Sequence, residues 1–365
     1  MEFHINKEDL NNALSITVGG VNPRATLPIL GNILIETVGV DAIKFTSTDL
    51  EIGLCTKVKS KNTTEGSVTV PARKFLDVIR ELPSGEVLVT VSKNNAVNIK
   101  TGKTYCKLMG LGKEDFPKLP DFDLSDSIEI DQNIVKECLS LTSFAISHDE
   151  ARYVLNGVLI KVSDKKIRFI ATDGRRLAYV EKDLSKPIKK PFEVIVPVKA
   201  VHELSKILKT EGVIKIVELQ NQVLFYLDNT YVITRLIEGK FPNYEQVIPK
   251  EESTTGSVDR QTFLSAVKRA SLFTSQDAQA VKLDFMNGKV LVSAHSANLG
   301  EVKEELDASV NGDSISIGFN PHYLIDVLKI MEESEVKISM SKSDKPGLIR
   351  GKDNYMYVIM PMQIA

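Results

Sequence analysis

The chain of 365 residues states one pattern three times, at a spacing of about 125 residues, with the third copy the most worn. The clearest echo sets Val70-Pro71-Ala72-Arg73-Lys74-Phe75-Leu76 against Val196-Pro197-Val198-Lys199-Ala200-Val201-His202, with Phe319-Asn320-Pro321-His322-Tyr323-Leu324-Ile325 a fainter third. Solenoid units repeat at about 20–50 residues, so a period this long describes whole domains. A third of the chain is long enough to bury a core of its own. The polar stretches 121–127 and 250–257 then predict domains at 1–125, 126–252 and 253–365.

Each copy reads as helix, strands, helix, strands, an α+β domain. The leading helix begins after Asn6, Asp131 and Asp259, which suit an N-cap, and apolar residues follow at three- and four-residue steps. Strands with period-two alternation come next: 29–35, 154–160 and 280–285, then 43–49, 167–173 and 290–295. The second helix is expected over 71–81, 197–209 and 320–331, since proline suits a first helical turn. A Phe-Pro element closes the first two copies at Phe116-Pro117 and Phe241-Pro242, whereas the third ends on Tyr357-Val358-Ile359-Met360-Pro361-Met362.

Bulk properties exclude several classes. No apolar run approaches the ~20 residues of a membrane helix, and the start lacks the basic and apolar regions of a signal peptide. The cytoplasm is therefore the expected compartment. Cys55, Cys106 and Cys138 have no metal-site spacing and read as reduced thiols. The five histidines never fall at metal-ligand spacing, so neither metal nor cofactor is expected. A net charge of −2 argues against a strongly basic nucleic-acid binder but leaves room for local basic faces.

Two motifs imitate catalytic ones. Thr101-Gly102-Lys103-Thr104 resembles the end of a phosphate-binding loop, but Val97 stands where that motif needs glycine, and a hairpin turn is expected. Thr172-Asp173-Gly174-Arg175-Arg176 offers Asp173 as a general base, yet no acid, nucleophile or histidine accompanies it nearby. No catalytic residue is predicted. Basic residues recur on the helices instead: Arg73, Lys74 and Arg80; Lys199, Lys206 and Lys209; Arg260, Lys268 and Arg269. A solvated face explains any one such group. Recurrence in every copy favours one surface making sequence-independent phosphate contacts.

At this level the chain resembles the bacterial DNA polymerase sliding clamps, the beta subunits of the replicative polymerase. The likeness is carried by Thr26-Leu27-Pro28-Ile29-Leu30-Gly31-Asn32, Thr48-Asp49-Leu50-Glu51, Val70-Pro71-Ala72-Arg73-Lys74-Phe75, Arg152-Tyr153, Leu155-Asn156-Gly157, Ala171-Thr172-Asp173-Gly174, Arg176-Leu177-Ala178, Phe241-Pro242, Gly318-Phe319-Asn320 and Met360-Pro361-Met362. It runs from Met1 to the terminal residues. The resemblance implies three similar domains per chain, helices inside and antiparallel sheets outside, closing as a head-to-tail homodimeric ring around double-stranded DNA. A head-to-tail contact is heterologous and makes a ring when its rotation closes. The implied role is processivity without catalysis.

The resemblance also implies a pocket between the second and third domains for short peptides of the replicative polymerase, the clamp loader and repair proteins. Its wall would be Leu155, Thr172, Gly174, Arg175, Arg176, Leu177, Pro242, Val247, Val358, Met360, Pro361 and Met362, bordered by Asn320 and Tyr323. Many relatives carry His at the place of Arg175 and Arg at those of Gln246 and Gln363. The implied DNA contacts are Arg24, Arg73, Tyr153 and Lys199. The implied ring joint sets Leu272 and Phe273 against Cys106 and Leu108, with Lys74 and Lys103 facing Glu301 and Glu304; Cys106 replaces an aromatic residue of some relatives.

Overall fold

A computed structural model describes residues 1–22, 26–188, 190–274 and 280–363. Six α-helices occur among them: α1 (Lys7–Thr17), α2 (Ala72–Glu81), α3 (Gln132–Thr142), α4 (Val198–Ile207), α5 (Arg260–Ser271) and α6 (Pro321–Ile330). None is long and apolar enough to cross a membrane. The strands pair antiparallel, so the α+β expectation holds.

Contacts divide the chain into two compact units, Met1–Lys136 with Lys199–Leu236, and Glu137–Val198 with Ile237–Ala365. The first unit holds a five-stranded sheet in the order Lys61–Thr64, Glu2–Asn6, Glu86–Val91, Ala96–Thr101, Thr104–Met109. It also holds an eight-stranded sheet: Ile128–Asp131, Val213–Glu218, Gln222–Leu227, Thr230–Arg235, Ile52–Lys59, Ala42–Thr48, Asn32–Val38, Ser67–Pro71. Strands of the first and second sequence copies meet where Thr230–Thr234 pairs with Ile52–Thr56. The buried faces of α1 and α2 close one core with Phe3, Phe45, Phe75 and Ile79.

The second unit holds a twelve-stranded sheet. Its order is Phe192–Pro197, Gly157–Ser163, Lys166–Thr172, Arg176–Asp183, Met356–Ile359, Gly347–Arg350, Glu335–Met340, Thr254–Asp259, Gly300–Asn311, Lys289–Ser296, Val281–Met286, Ile315–Phe319. Here the second and third copies meet, Arg176–Tyr179 pairing with Met356–Ile359. The repeat is thus built into sheets that run across copies.

Helix boundaries follow backbone donors. Asn6 accepts from the Glu8 N–H, Asp259 from that of Thr262 and Asn320 from that of His322, each satisfying a first-turn donor that the helix leaves open. Pro71 and Pro197 end strands, so α2 and α4 start one residue later than expected, and α4 stops at Ile207. Short strands before the leading helices were not anticipated, since four to six residues ahead of a strong helical pattern carry little periodicity of their own. The expected strand at 29–35 begins instead with a 3-10 turn at Pro28–Gly31, and that at 154–160 follows one at Glu150–Leu155. The imitation phosphate loop is a hairpin: Thr101 pairs with Thr104 and Gly102 has φ +53°, a left-handed value that glycine adopts without a Cβ penalty.

Candidate functional site

The strand Lys166–Thr172 turns back at Asp173-Gly174-Arg175 into Arg176–Asp183, and the turn is closed by its own side chains. Asp173 Oδ1 accepts from the Arg175 and Arg176 N–H groups at 2.9 and 3.0 Å. Thr172 Oγ1 donates to the Arg176 carbonyl at 2.6 Å and accepts from the Gly174 N–H at 3.0 Å. Gly174 takes φ +85°, as the turn requires. Asp173 Oδ2 accepts from Arg176 Nε at 3.0 Å, so both carboxylate oxygens are engaged in structure and neither is set up as a general base.

Beside this turn lies an apolar groove of about 130 Å³. Leu155, Leu177 and Val358 supply buried apolar surface in one cluster with Phe241 and Ile170. Thr172, Gly174, Arg175 and Arg176 form the turn side, Pro242, Asn243, Tyr244 and Val247 the opposite wall, and Met360 completes it. The Met360 N–H donates to the Arg175 carbonyl at 2.9 Å, which holds the last strand's exit against the turn. Burial raises the Tyr244 phenol, whose ring lies 5.9 Å from that of Tyr179.

Arg176 anchors the groove from behind. Its Nη1 donates to Asp326 Oδ2 on α6 at 2.7 Å and its Nη2 to the Phe144 carbonyl at 2.7 Å. The guanidinium lies 4.5 Å from the Tyr323 ring centroid and 5.4 Å from that of Phe144. Burial opposes its charge, yet the Tyr357, Asp326 and Asp173 side chains outweigh burial and push it above the ordinary arginine value.

Ten of the residues implied for the pocket line this groove: Leu155, Thr172, Gly174, Arg175, Arg176, Leu177, Pro242, Val247, Val358 and Met360. Four do not. Asn320 caps α6, Tyr323 stacks on Arg176 and accepts from the Tyr357 hydroxyl at its carbonyl, and Met362 bridges to Gly318, with Pro361 between that bridge and the groove. Asn243 and Tyr244 are additional lining residues. Their signal was the position of Tyr244, three residues after Phe241 in the Phe-Pro element that the copies share.

The residues implied for DNA are placed unevenly. Arg73 and Lys199 share one cleft of the first unit with Arg80, His202, Lys206, Asp77 and Glu203. Lys199 Nζ is already bonded to Asp49, and Lys206 Nζ to Glu203 at 2.8 Å. Tyr153 is exposed in the second unit, and Arg24 lies outside the described residues. On the third copy, Arg260 donates to the Leu328 and Glu333 carbonyls at the end of α6, and Arg269 pairs with Glu304. These two cations hold structure together.

The residues implied for the ring joint fall at two sheet edges, on α2 (Lys74) and at the end of α5 (Leu272 and Phe273). Among the described residues, strand Thr104–Met109 pairs on one side only, with Ala96–Thr101. Its Cys106 and Leu108 are half-buried against their own core, while Tyr105 and Met109, not anticipated, are exposed; Lys74 and Lys103 are exposed as well. In the second unit, Gly300–Asp307 pairs with Lys289–Ser296, and among the described residues only Ala308–Asn311 of the same strand pairs on the other side, with Thr255–Val258. Leu272 is 72% exposed at the end of α5, Phe273 lies beside Gly300, and Glu304 meets Arg269. Glu301 pairs with Lys303 at 3.0 Å.

Comparison with known proteins accounts for the whole chain. Family descriptions of the DNA polymerase III beta subunit match at 1–120 (N-terminal domain), 129–243 (central domain) and 245–363 (C-terminal domain). The chain is 33% identical to the beta sliding clamp of Chlamydia muridarum, covering 100% of this chain and 99% of that protein. It is equally 33% identical to the beta sliding clamp of Pseudomonas putida, with 100% of each covered. Among solved structures, the griselimycin-bound sliding clamp of Pseudomonas aeruginosa superposes with a TM-score of 0.94 at 32% identity, and that of Bacillus subtilis with 0.93 at 30%, each covering 100% of both chains. The chain belongs to the bacterial DNA polymerase III beta subunit family, the beta sliding clamps.

Proposed function

We propose that two copies of this chain close head to tail into a ring around duplex DNA and tether the replicative polymerase, the clamp loader and repair proteins through the apolar groove. The observation that carries the ring is the pair of open sheet edges, Thr104–Met109 in one unit and the first part of Gly300–Asn311 in the other. An unpaired edge invites another strand. These two differ in charge, with Lys107 on the first and Lys103 in the hairpin before it, and Glu301, Glu304, Glu305 and Asp307 against a single Lys303 on the second. Leu272, Phe273, Cys106 and Leu108 supply apolar contact, and Tyr105 and Met109 extend it. Exposed ion pairs such as Lys74 or Lys103 with Glu301 or Glu304 add only about 0–1 kcal/mol each.

Three domains at 1–125, 126–252 and 253–365 carry this architecture, supported by the three matched family segments. Arg24, Arg73, Tyr153 and Lys199 contact DNA without reading bases. The peptide groove comprises the ten lining residues, with Pro361, Met362, Asn320 and Tyr323 behind and beside it. The chain acts in the cytoplasm, and it performs no reaction itself. Sedimentation of the purified chain tests the ring: a dimer at micromolar concentration is expected, and a stable monomer there contradicts it.

A further inference from the structure

The groove has a counterpart in the first unit, built by the same pairing. In the second unit Leu177 faces Val358 across the strands that join the second and third copies. In the first unit Gly53 faces Ile233 across the strands that join the first and second. The Met360 N–H donates to the Arg175 carbonyl at 2.9 Å, and the Arg235 N–H to that of Glu51 at 2.9 Å. The turns match as well. Asp49 Oδ1 accepts from the Glu51 and Ile52 N–H groups and Thr48 Oγ1 from that of Leu50, as Asp173 and Thr172 do in the other turn. Two leucines set the first place apart. Leu119 stands over Gly53, where a Cβ would meet its Cδ2 at 2.6 Å, and it clusters with Val217, Leu224 and Ile233. It lies three residues after Phe116, as Tyr244 lies three after Phe241, but Tyr244 borders an open groove. Leu50 holds the turn position of Gly174, with φ +79° against +85°. Glycine meets that backbone without penalty and leucine does not, so the turn alone gives no reason for a leucine there. Gly174 lines the open groove, and Leu50 puts a half-exposed apolar side chain at the corresponding rim.

We propose that Leu119 and Leu50 shut a second, latent peptide-docking place where the first and second copies join, and so hold each chain to one docked peptide. The inference rests on the peptide-groove reading above and extends it to a site that this chain occupies itself. The occupant is the segment 115–124, which carries Leu119 as a built-in anchor. A group tethered at both ends meets its place at a high effective concentration, so a free peptide does not displace it. Leu50 bars the rim against what the plug leaves open, and its strained backbone is explained by that role. Steric exclusion of this kind gives specificity between two places with the same backbone frame.

Calorimetric titration of the full-length protein with an acetylated peptide carrying two adjacent leucines tests this. The unsubstituted chain should take one peptide, and Val247→Asp should abolish that binding. Leu119→Ala combined with Leu50→Gly should raise the stoichiometry from one to two peptides per chain. Added to Val247→Asp, the same two substitutions should restore one. Gly53→Ala with Leu50→Gly reaches the same end without removing Leu119, because the new Cβ crowds the end of that side chain aside. Circular dichroism identifies which variants keep the fold. One peptide per chain in the folded variants overturns the proposal, as do two in the unsubstituted protein. Failure of the groove reading looks different: the unsubstituted chain then binds no peptide, or binds it undiminished in Val247→Asp.

Discussion

Arg176 Nη1 lies 2.7 Å from Asp326 Oδ2, joining the turn after Lys166–Thr172 to the helix α6, 150 residues further along the chain. The same guanidinium reaches Asp173 and the Phe144 carbonyl, so one side chain both lines the groove and fixes what stands behind it. Replacing Asp326 by Asn keeps the shape and weakens one of these bonds. The expected loss in unfolding free energy is about 1 kcal/mol, less than the roughly 1.5–3 kcal/mol of a full bond to a charged group because Asn keeps an acceptor for Arg176. Chemical denaturation read by circular dichroism checks it; a gain in stability would contradict the role given to Asp326.

Glu181 predicts an acid-side loss of stability. Burial alone would raise its carboxyl, but hydrogen bonds from Lys166 and Arg168 outweigh burial and hold it below the ordinary value. Because the folded pKa is depressed, the contribution is present above the unfolded carboxylate range and is lost as pH falls through the folded value. Unfolding free energy should therefore decline below about pH 4.3, the ordinary glutamate value. Glu181→Gln should flatten that part of the profile while costing about 1–3 kcal/mol at neutral pH, since Arg168 is left without a carboxylate. An unchanged acid slope would contradict this.

The terminal segment is expected to serve docking and not assembly. Deleting residues 360–365 removes the Met360 bond to the Arg175 carbonyl and the Met362 bridge to Gly318. Fluorescence anisotropy should show groove peptides failing to bind, while sedimentation still reports a dimer. Loss of the dimer would mean that the tail holds the fold.

The ring joint should fail at Leu272. This exposed apolar side chain becomes buried if two copies meet there, and a charge placed in such a contact costs several kcal/mol when unpaired. Leu272→Glu should weaken the dimer at least tenfold, giving monomers in sedimentation whose circular dichroism spectrum matches that of the unsubstituted protein. A dimer of undiminished strength would place the joint elsewhere.

Much of the molecule could be read from its residues because the threefold pattern supplied internal comparison. Helix starts at Asn6, Asp259 and Asn320 were visible, since a cap needs a short polar side chain just before an apolar stripe. What stayed hidden was set by contacts between distant segments. Gly53 occupies the place in the first copy that Leu177 occupies in the second, and a Cβ there would meet Leu119 at 2.6 Å and Ile233 at 2.9 Å. Leu119 thus covers the surface that, in the second copy, is left as a groove flanked by Tyr244. No local pattern distinguishes a leucine that fills such a place from a tyrosine that borders it. The same holds for cations: Arg73, Lys199, Arg260 and Arg269 look alike in sequence, and only the fold pairs Lys199 with Asp49 and Arg269 with Glu304.

Encirclement is tested most directly by retention on DNA of two topologies. The protein is loaded onto nicked circular duplex by a clamp loader, and half of the sample is then linearised by a single restriction cut before gel filtration. The account predicts that the protein stays with the circles and is lost from the linear molecules, because a sliding ring can leave only over an end. Equal retention on both would contradict topological tethering and point to ordinary surface binding.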